Sequence, residues 1–202
     1  MRFTYNNNYF NAKHQGIPVN GYTDMVEKMI RGTDIMLNTD YLSKRAELGK
    51  IADKLIYTGS IDSFFNYSYG KLSYRSVRFE IEDLDSENYQ GNAVVNYTDR
   101  ETPWTRIIEH KWFTFGKDRN GDDIPHTIIS KEYSQEWKDG IDPYYPINDE
   151  NNNQLYEEYR YLAQREAPNV IFAGRLGKYR YYDMDAAISH SLAKCKELFE
   201  EE

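Results

Sequence analysis

One short segment of this chain alternates apolar and charged residues, and that pattern restricts the fold more than any other feature. The apolar residues are Val77, Phe79 and Ile81, and the charged ones are Arg78, Glu80 and Glu82. Successive side chains of a β-strand point to opposite faces, so a period of two predicts a strand with one face toward water. The chain is therefore expected to contain a sheet that is covered on one side.

Apolar runs elsewhere predict the remaining secondary structure. Further strands are predicted at residues 35–37, 55–57, 94–97, 106–113, 127–133 and 170–172, and helices at residues 18–32, 151–166 and 183–198. In the last helix the residues expected to face inward are Met184, Ala187, Ile188, Leu192, Cys195 and Leu198. The Asn120-Gly121 pair predicts a hairpin turn rather than a calcium loop. The order of elements predicts an α+β fold with a mostly antiparallel sheet.

Composition and charge exclude several classes of function. The 202 residues carry 33 acidic and 25 basic side chains, a net charge of −8, whereas a protein that binds nucleic acid normally has a basic face. Cys195 is the single cysteine and the histidines lack metal-ligand spacing, so no disulfide framework and no metal site are expected. The chain has neither a membrane-length apolar run nor a signal peptide, and we predict a cytoplasmic protein.

Two segments place arginine, tyrosine and carboxylate side chains beside apolar runs, at residues 96–111 and 174–184. This mixture suits recognition of a phosphorylated sugar better than packing in a core. In the first segment, the Arg106 guanidinium can grip a diphosphate through paired hydrogen bonds, each worth about 1.5–3 kcal/mol. From spacing alone, a salt bridge to Asp99, Glu101 or Glu109 is an equally good interpretation.

Other candidate residues also have a purely structural interpretation. Arg2 can be a frayed terminal residue, and Arg75 can be an edge-strand charge exposed to water. Asn96 can form a turn or bulge. Two prolines flank the segment of Tyr145 and predict a rigid extended loop, which can hold its phenol in a fixed position. Alternatively, Tyr145 can lie in a packed turn on the surface of the sheet. Asp183 can cap the last predicted helix.

Taken together, the two segments resemble UDP-galactopyranose mutases, and the resemblance runs from Arg2 to about Leu198. It implies a flavin-dependent isomerase that interconverts UDP-galactopyranose and UDP-galactofuranose, which is used in cell-surface polysaccharide. In this family the N5 atom of reduced FAD attacks the anomeric carbon, with no net redox change. The resemblance also implies a homodimer.

The resemblance assigns substrate contacts to Arg2, Tyr9, Asn96, Arg106, Tyr145 and Tyr181. Arg2 and Arg106 match arginines on the substrate diphosphate, and they are expected to act as catalytic residues by stabilising the departing UDP. Tyr145 and Tyr181 match tyrosines that contact the phosphates. Asn96 matches a residue near the sugar.

The resemblance assigns flavin contacts to Arg75, Gly174, Arg175, Tyr182, Asp183 and Met184. Gly174 is expected to let the backbone approach the flavin, and Arg175 to lie beside the isoalloxazine. The predicted helix that begins at Asp183 would offer backbone N–H groups to an electron-rich ring.

The resemblance divides the chain into three parts. Residues 1–32 match a substrate-facing strand and helix, and residues 33–150 match a mixed or antiparallel sheet domain. Residues 151–202 match a helix, a strand and a helix that complete a Rossmann-like FAD-binding domain.

The sequence departs from the family at two positions and lacks one family motif. Trp104 stands where the family has tyrosine, and Ala173 where it more often has glycine. No Gly-x-Gly-x-x-Gly turn is present. We therefore expect the chain to correspond to the C-terminal half of such an enzyme, and by itself neither to retain FAD nor to turn over substrate. A non-catalytic nucleotide-sugar binding module and a fragment of another FAD oxidoreductase remain alternatives.

Overall fold

The computed structural model describes residues 12–199, so the predictions for Arg2 and Tyr9 lie outside the described residues. The chain forms two compact units that divide between Lys44 and Arg45. No helix in the described part of the chain is long and apolar enough to cross a membrane. The three-part division expected above stays a prediction.

The described part of the first unit contains helix α1 at Gly21–Met29, which confirms the helix predicted there. Asn20 is its N-cap residue, although its side chain makes no capping hydrogen bond. The strand predicted at residues 35–37 is wrong, since these residues are irregular and their side chains are exposed. Polar residues form a local turn directly afterwards, where the Leu42 N–H donates to the Asp40 carboxylate.

The second unit contains the remaining helices and all the strands of the described residues. Its helices are α2 (Arg45–Leu48), α3 (Ile61–Phe64), α4 (Glu150–Glu166), α5 (Gly174–Gly177) and α6 (Met184–Phe199). Its strands are β1 (Leu55–Tyr57), β2 (Tyr74–Leu84), β3 (Val94–Asn96), β4 (Arg106–Glu109), β5 (Thr127–Glu136), β6 (Tyr145–Pro146) and β7 (Val170–Phe172). Apart from the regions corrected here, the predicted strands and helices are confirmed.

The strands form two sheets. β1 and β7 pair in parallel, whereas the other five form a curled antiparallel sheet in the order β3-β4-β5-β2-β6. The long pairing of β2 with β5 forms its centre and runs from Arg75 opposite Glu136 to Leu84 opposite Thr127. The fold is therefore α+β with a mostly antiparallel sheet, as predicted.

An aromatic cluster connects α3, α4 and the parallel strands. The Phe64 side chain is 1% exposed, and its ring centroid lies 4.9 Å from that of Phe172 in β7. Tyr159 of α4 is fully buried, and its hydroxyl donates to Gly70 O (2.7 Å) and accepts from the Tyr69 N–H (3.0 Å). Since the phenol is paired, the polar end of this large side chain can be buried at little cost.

β2 confirms the predicted strand, but its apolar positions are not covered as expected. Phe79 is 42% and Ile81 is 72% exposed, whereas Tyr74 and Ser76 on the other face are buried. The burial is confined to the start of the strand, where the Tyr74 ring packs against Trp137 with 5.4 Å between centroids. Further along β2 no described residue is buried on either face.

The strand predicted at residues 106–113 ends at Glu109, and His110–Thr114 forms a 3₁₀ helix. Lys111 accounts for the change of direction, because its side chain turns inward and its Nζ donates to Ile124 O at 2.7 Å. A buried ammonium requires such acceptors.

The turn predicted at Asn120-Gly121 is confirmed. Lys117 and Asp123 form an antiparallel bridge across it, and Gly121 has a φ of 89°. The Asp118 carboxylate accepts the Asn120 N–H at 2.8 Å, so this acidic side chain stabilises the turn.

The inward-facing stripe predicted for α6 is wrong for the described structure, in which no residue of α6 is buried. Met184 is 57%, Leu192 66% and Phe199 69% exposed, and Cys195 is a free, exposed thiol. The helical period is correct, but only Ala187 and Leu198 of the predicted stripe are half-buried, and its other residues are exposed.

Candidate functional site

The pairing of the antiparallel sheet puts several candidate residues on one face. Asn96 lies opposite Arg106, which lies opposite Glu132, and Glu132 in turn lies opposite Phe79. Directly opposed residues of antiparallel strands project to the same face. Arg75 is four residues before Phe79 on β2, and an even spacing keeps it on that face. We call this surface, formed by Arg75, Phe79, Asn96, Arg106 and Glu132, the arginine face.

The two arginines mark the two ends of the arginine face. Their backbones are separated by four residues along the strand direction and by two strand spacings, or about 13 Å and about 10 Å. The half-exposed Phe79 lies on the same strand as Arg75, level with Arg106. A ligand that contacts both arginines must therefore be elongated, like a nucleoside diphosphate sugar, and not a single phosphate ion.

At one end of the face, Arg75 lies opposite Tyr145 of β6. The Tyr144 N–H donates to Arg75 O at 3.1 Å, which holds this proline-flanked segment against β2 in the extended form predicted from sequence. The Arg75 side chain is exposed and forms no ion pair with any described residue. Its charge is available to a ligand.

The turn after β7 brings Arg175 and Tyr181 to the same end. The ring centroids of Tyr145 and Tyr181 are 5.7 Å apart. The Arg175 Nη2 donates to Pro143 O at 3.3 Å, so this guanidinium connects the turn to the loop before β6. Arg75, Tyr145, Arg175 and Tyr181, which are far apart in sequence, are thus brought together.

Tyr181 and Asp183 interact directly. The Tyr181 hydroxyl donates to Asp183 Oδ1 at 2.9 Å, and this hydrogen bond, with burial as a second cause, raises the pKa of Tyr181. The Asp183 backbone oxygen accepts the Ala187 N–H at 2.9 Å and so takes part in the first turn of α6. The carboxylate predicted to cap this helix therefore bonds the phenol.

The predicted flavin residues do not all lie together. Gly174 has a φ of 71°, which L side chains rarely adopt, and an added Cβ would lie 3.5 Å from Thr58 Cβ. Gly174 and Tyr182 line a cavity of about 310 Å³ between β7, α5 and α6, where the Tyr182 ring centroid is 4.6 Å from that of His190. Met184 is exposed at the start of α6. Arg75 and Arg175 do not line this cavity.

At the other end of the arginine face, Arg106 pairs with Glu132. The Arg106 Nε is 3.3 Å from Glu132 Oε1 but is not aligned for a hydrogen bond, so this is a charge contact only. Glu132 is 8% exposed and also accepts the Thr105 hydroxyl at 2.9 Å. The Arg106 side chain is 42% exposed, and its terminal N–H groups have no partner among the described residues.

The salt-bridge partners suggested by spacing are therefore not the ones observed for Arg106. Asp99 instead accepts the Thr102 N–H at 2.8 Å, and Glu109 projects to the opposite face of the sheet. Glu132 was missed because it is a cross-strand neighbour, which depends on register and not on sequence spacing.

Glu109 anchors a loop. It is fully buried and accepts the Gln90 N–H (2.7 Å), the Tyr89 N–H (3.0 Å) and the Thr127 hydroxyl (2.8 Å). Burial would raise the pKa of Glu109, but these hydrogen bonds outweigh it and hold the pKa below its usual value. Glu109 is thus a charged structural acceptor.

Trp104, which replaces the family's tyrosine, packs away from the arginine face. Its ring centroid lies 6.3 Å from that of Tyr133 and 5.1 Å from Lys131 Nζ. Both neighbours alternate with Glu132 on β5 and so project to the opposite face. The larger indole therefore leaves the arginine face unchanged.

Tyr179 has a structural role that sequence reasoning missed. It is 3% exposed, and its hydroxyl contacts Ser73 O (2.5 Å) and Ile147 O (3.0 Å) and accepts the Ile147 N–H (3.2 Å). Burial is the main cause that raises the pKa of Tyr179 to about 12. The signal in the sequence is weak, because three tyrosines occur within residues 179–182.

Comparison with known proteins shows similarity to UDP-galactopyranose mutases over almost the whole chain. The family model for UDP-galactopyranose mutase matches residues 1–181. A protein of Klebsiella pneumoniae named "Probable UDP-galactopyranose mutase" is 39% identical over 199 residues, which are 98% of this chain and 49% of that protein. A dTDP-fucopyranose mutase of Escherichia coli is 33% identical over 204 residues, covering 98% of this chain and 52% of the relative.

A solved structure has a similar fold. The crystal structure of a reduced UDP-galactopyranose mutase matches with a TM-score of 0.58 over 74% of this chain and 41% of its own. The identity is 13%, so this likeness concerns the fold alone. The chain spans about half the length of the curated relatives it matches.

Proposed function

The chain belongs to the UDP-galactopyranose mutase family, and on this premise we propose that it supplies half of a flavin-dependent isomerase. The proposed reaction interconverts UDP-galactopyranose and UDP-galactofuranose in the cytoplasm, and the whole enzyme is proposed to be a homodimer. The observation that carries this proposal is the arginine face. It combines two separated guanidinium groups with an asparagine and an exposed aromatic ring.

Arg106 is proposed to bind the substrate diphosphate and to stabilise negative charge on UDP as it departs. Its terminal N–H groups are unpaired among the described residues, and Glu132 limits the movement of its stem. Asn96, directly opposite on β3, is suited to donate to and accept from sugar hydroxyls. Arg2 and Tyr9 are proposed as further substrate contacts from the family match alone.

Tyr145 and Tyr181 are proposed to contact the phosphates at the Arg75 end. Their rings are 5.7 Å apart, and each phenol is attached to a segment held by backbone contacts. The pKa of Tyr181 lies above its usual value of 10.0, so the phenol is neutral near neutral pH and does not repel an anion. Its hydroxyl can donate to a phosphate when it leaves Asp183.

The predicted flavin residues form two groups, and the arginines among them suit an electron-rich planar ring. Arg75 and Arg175 put two positive charges at one end of the sheet, and neither forms an ion pair with a described carboxylate. Gly174 offers backbone without a side chain at the cavity that Tyr182 also lines. We propose that Arg75, Gly174, Arg175, Tyr182, Asp183 and Met184 hold the flavin. Reduced FAD, when bound, would supply the nucleophile for the anomeric carbon.

A dTDP sugar is the second candidate substrate, since one relative at 33% identity is named a dTDP-fucopyranose mutase. Both candidates share the nucleoside diphosphate that the arginine face suits. A direct assay with each nucleotide sugar separates them.

The proposal is tested in a chimera in which this chain replaces the matching segment of the Klebsiella pneumoniae relative. The purified chimera is reduced and incubated with UDP-galactofuranose or a dTDP sugar, and the products are separated by chromatography. We expect UDP-galactopyranose to form from the first substrate. A folded, FAD-containing chimera that converts neither sugar would contradict the enzyme proposal and favour a non-catalytic binding module.

The chain alone is a second test. We expect it to show no visible flavin spectrum after purification and no turnover. A bound flavin spectrum with the isolated chain would overturn this expectation.

A further inference from the structure

Tyr179 occupies a central position next to the Arg75 end of the arginine face. Its ring packs edge-on against Tyr74 with 5.3 Å between centroids, and stacks on Tyr156 of α4 at 5.9 Å. Its φ of 46° is unusual for a residue with a side chain. A non-glycine residue keeps this conformation only where surrounding contacts compensate for it.

The Tyr179 hydroxyl joins three segments of the chain. Ser73 O, which accepts its proton at 2.5 Å, lies two residues before Arg75. The Ile147 N–H, which donates to it at 3.2 Å, lies two residues after Tyr145. Tyr179 itself lies two residues before Tyr181. The segments of Arg75 and Tyr145 are already paired through their backbones, since the Ile147 N–H also donates to Ser73 O at 3.1 Å. The phenol therefore attaches the segment that carries Tyr181 to this pair.

We propose that Tyr179 is a positioning residue, which sets the spacing of Tyr145 and Tyr181 for binding the nucleoside diphosphate. This inference rests on the proposed function of the arginine face. Without the hydroxyl, Ser73 O and the Ile147 N–H each lose one partner and keep the hydrogen bond between them. The segment that carries Tyr181 can then move relative to β2 and β6, which keep their own backbone pairing.

The test compares Tyr179→Phe with Tyr159→Phe in the full chain. Tyr159 is an equally buried tyrosine whose hydroxyl also bridges two backbone groups, those of Tyr69 and Gly70. Neither of these groups belongs to the candidate site. Both variants lose one buried phenol oxygen, so their losses of thermal stability should be similar, whereas only Tyr179→Phe should disturb the site.

Two readouts are used for each variant. The first is the set of NMR cross-relaxation signals between the Tyr145 and Tyr181 rings, whose centroids are 5.7 Å apart. The second is the dissociation constant for UDP, measured by calorimetry well below the melting temperatures. In Tyr179→Phe we expect the ring-to-ring signals to weaken and the dissociation constant to rise at least about tenfold, as misplaced contacts do. In Tyr159→Phe both should stay as in the unsubstituted chain.

Unchanged ring signals in Tyr179→Phe would overturn the proposal, as would an equal loss of UDP affinity in both variants. If the unsubstituted chain does not bind UDP, the proposed function of the face fails, but the ring signals still decide the role of Tyr179. If the Tyr179→Phe variant does not fold, a measurement on the unsubstituted chain tests the proposal instead. The Tyr179 hydroxyl proton, which is donated to Ser73 O, must exchange slowly with water in the unsubstituted chain, and exchange as fast as in an exposed tyrosine would contradict the proposal.

Discussion

The two ends of the arginine face are built in different ways. The Arg106 end comes from adjacent strands, with Asn96 and Glu132 as the cross-strand neighbours of Arg106. The Arg75 end joins β2, β6 and the turn after β7, which are distant in sequence. The first end is therefore defined by sheet register alone. The second depends on the pairing of β2 with β6 and on buried side chains that attach the turn after β7.

This difference has a consequence for substitutions. At the Arg106 end the backbone ladder remains when a side chain is removed, so we expect losses that concern charge and binding. At the Arg75 end the buried rings of Tyr74 and Tyr179 support the geometry, so we expect losses of stability and of binding together.

The largest effect on stability is expected from Tyr74→Ala. Tyr74 is 4% exposed and packs edge-on against Trp137 and Tyr179. Removing the ring leaves a cavity, and we expect the free energy of unfolding to fall by about 3–5 kcal/mol in urea denaturation followed by circular dichroism. Tyr97→Ala, at the half-buried Tyr97 of the Arg106 end, should cost clearly less. Equal losses would contradict the comparison.

Arg106→Ala tests the other end. In the chimera we expect turnover to fall by about 10²–10³-fold, since one charge-stabilising group is lost while the sheet register is kept. Arg78→Ala is the matched control, because Arg78 lies on the opposite face of the same sheet and pairs with exposed Glu80. Such an exposed pair contributes about 0–1 kcal/mol. Near-normal turnover in Arg106→Ala would show that Arg106 does not bind the substrate diphosphate.

A smaller, pH-dependent effect is expected from Glu109→Gln, which loosens the loop behind the Arg106 end. The pKa of Glu109 is lowered by folding, so its carboxylate contributes stability that is fully present above about pH 4.5, its usual value. This contribution is lost as the pH falls through the lower pKa of the folded state. We expect the variant to be about 2 kcal/mol less stable at pH 7. The difference should shrink below pH 4.5.

Urea denaturation of both proteins at pH 7 and at acidic pH measures this difference. A stability gap that does not change with pH would show that lost packing, and not the charge of Glu109, causes the effect.

The smallest effect is expected at the exposed side of the Arg75 end. Asp183→Asn removes the negative charge that accepts the Tyr181 hydroxyl, so the pKa of Tyr181 should fall toward its usual value of 10.0. The pKa is read from the ¹³Cζ signal of Tyr181 in an NMR titration. Asp185→Asn is the control, because exposed Asp185 does not bond Tyr181. An equal response in both variants would argue against the Tyr181–Asp183 bond.

Sequence patterns predicted the elements that depend on local chemistry. The period-two run gave β2, the helical period gave α4, and Asn120-Gly121 gave its turn. The patterns could not predict which surfaces are covered, because burial depends on what else packs there. For that reason Phe79 and the apolar side of α6 are exposed although their spacing is typical of buried residues.

In the candidate site too, some residues were predicted from the sequence and others were not. Arg75, Tyr145, Arg175 and Tyr181 were proposed from the family resemblance, and the fold brings these four residues together. The supporting residues were missed. Glu132 reaches Arg106 through strand register, and Tyr179 acts through backbone groups of Ser73 and Ile147, so neither contact leaves a pattern in the sequence.

The most direct test of the account is an NMR titration of the full chain with UDP. The account predicts that amide and guanidinium signals shift on the arginine face, at Arg75, Asn96 and Arg106, together with Tyr145. Arg78 and Tyr133 on the opposite face should stay unchanged. Shifts centred on Arg78 and Tyr133, or no shifts at any UDP concentration, would contradict the claim that this face binds the nucleoside diphosphate.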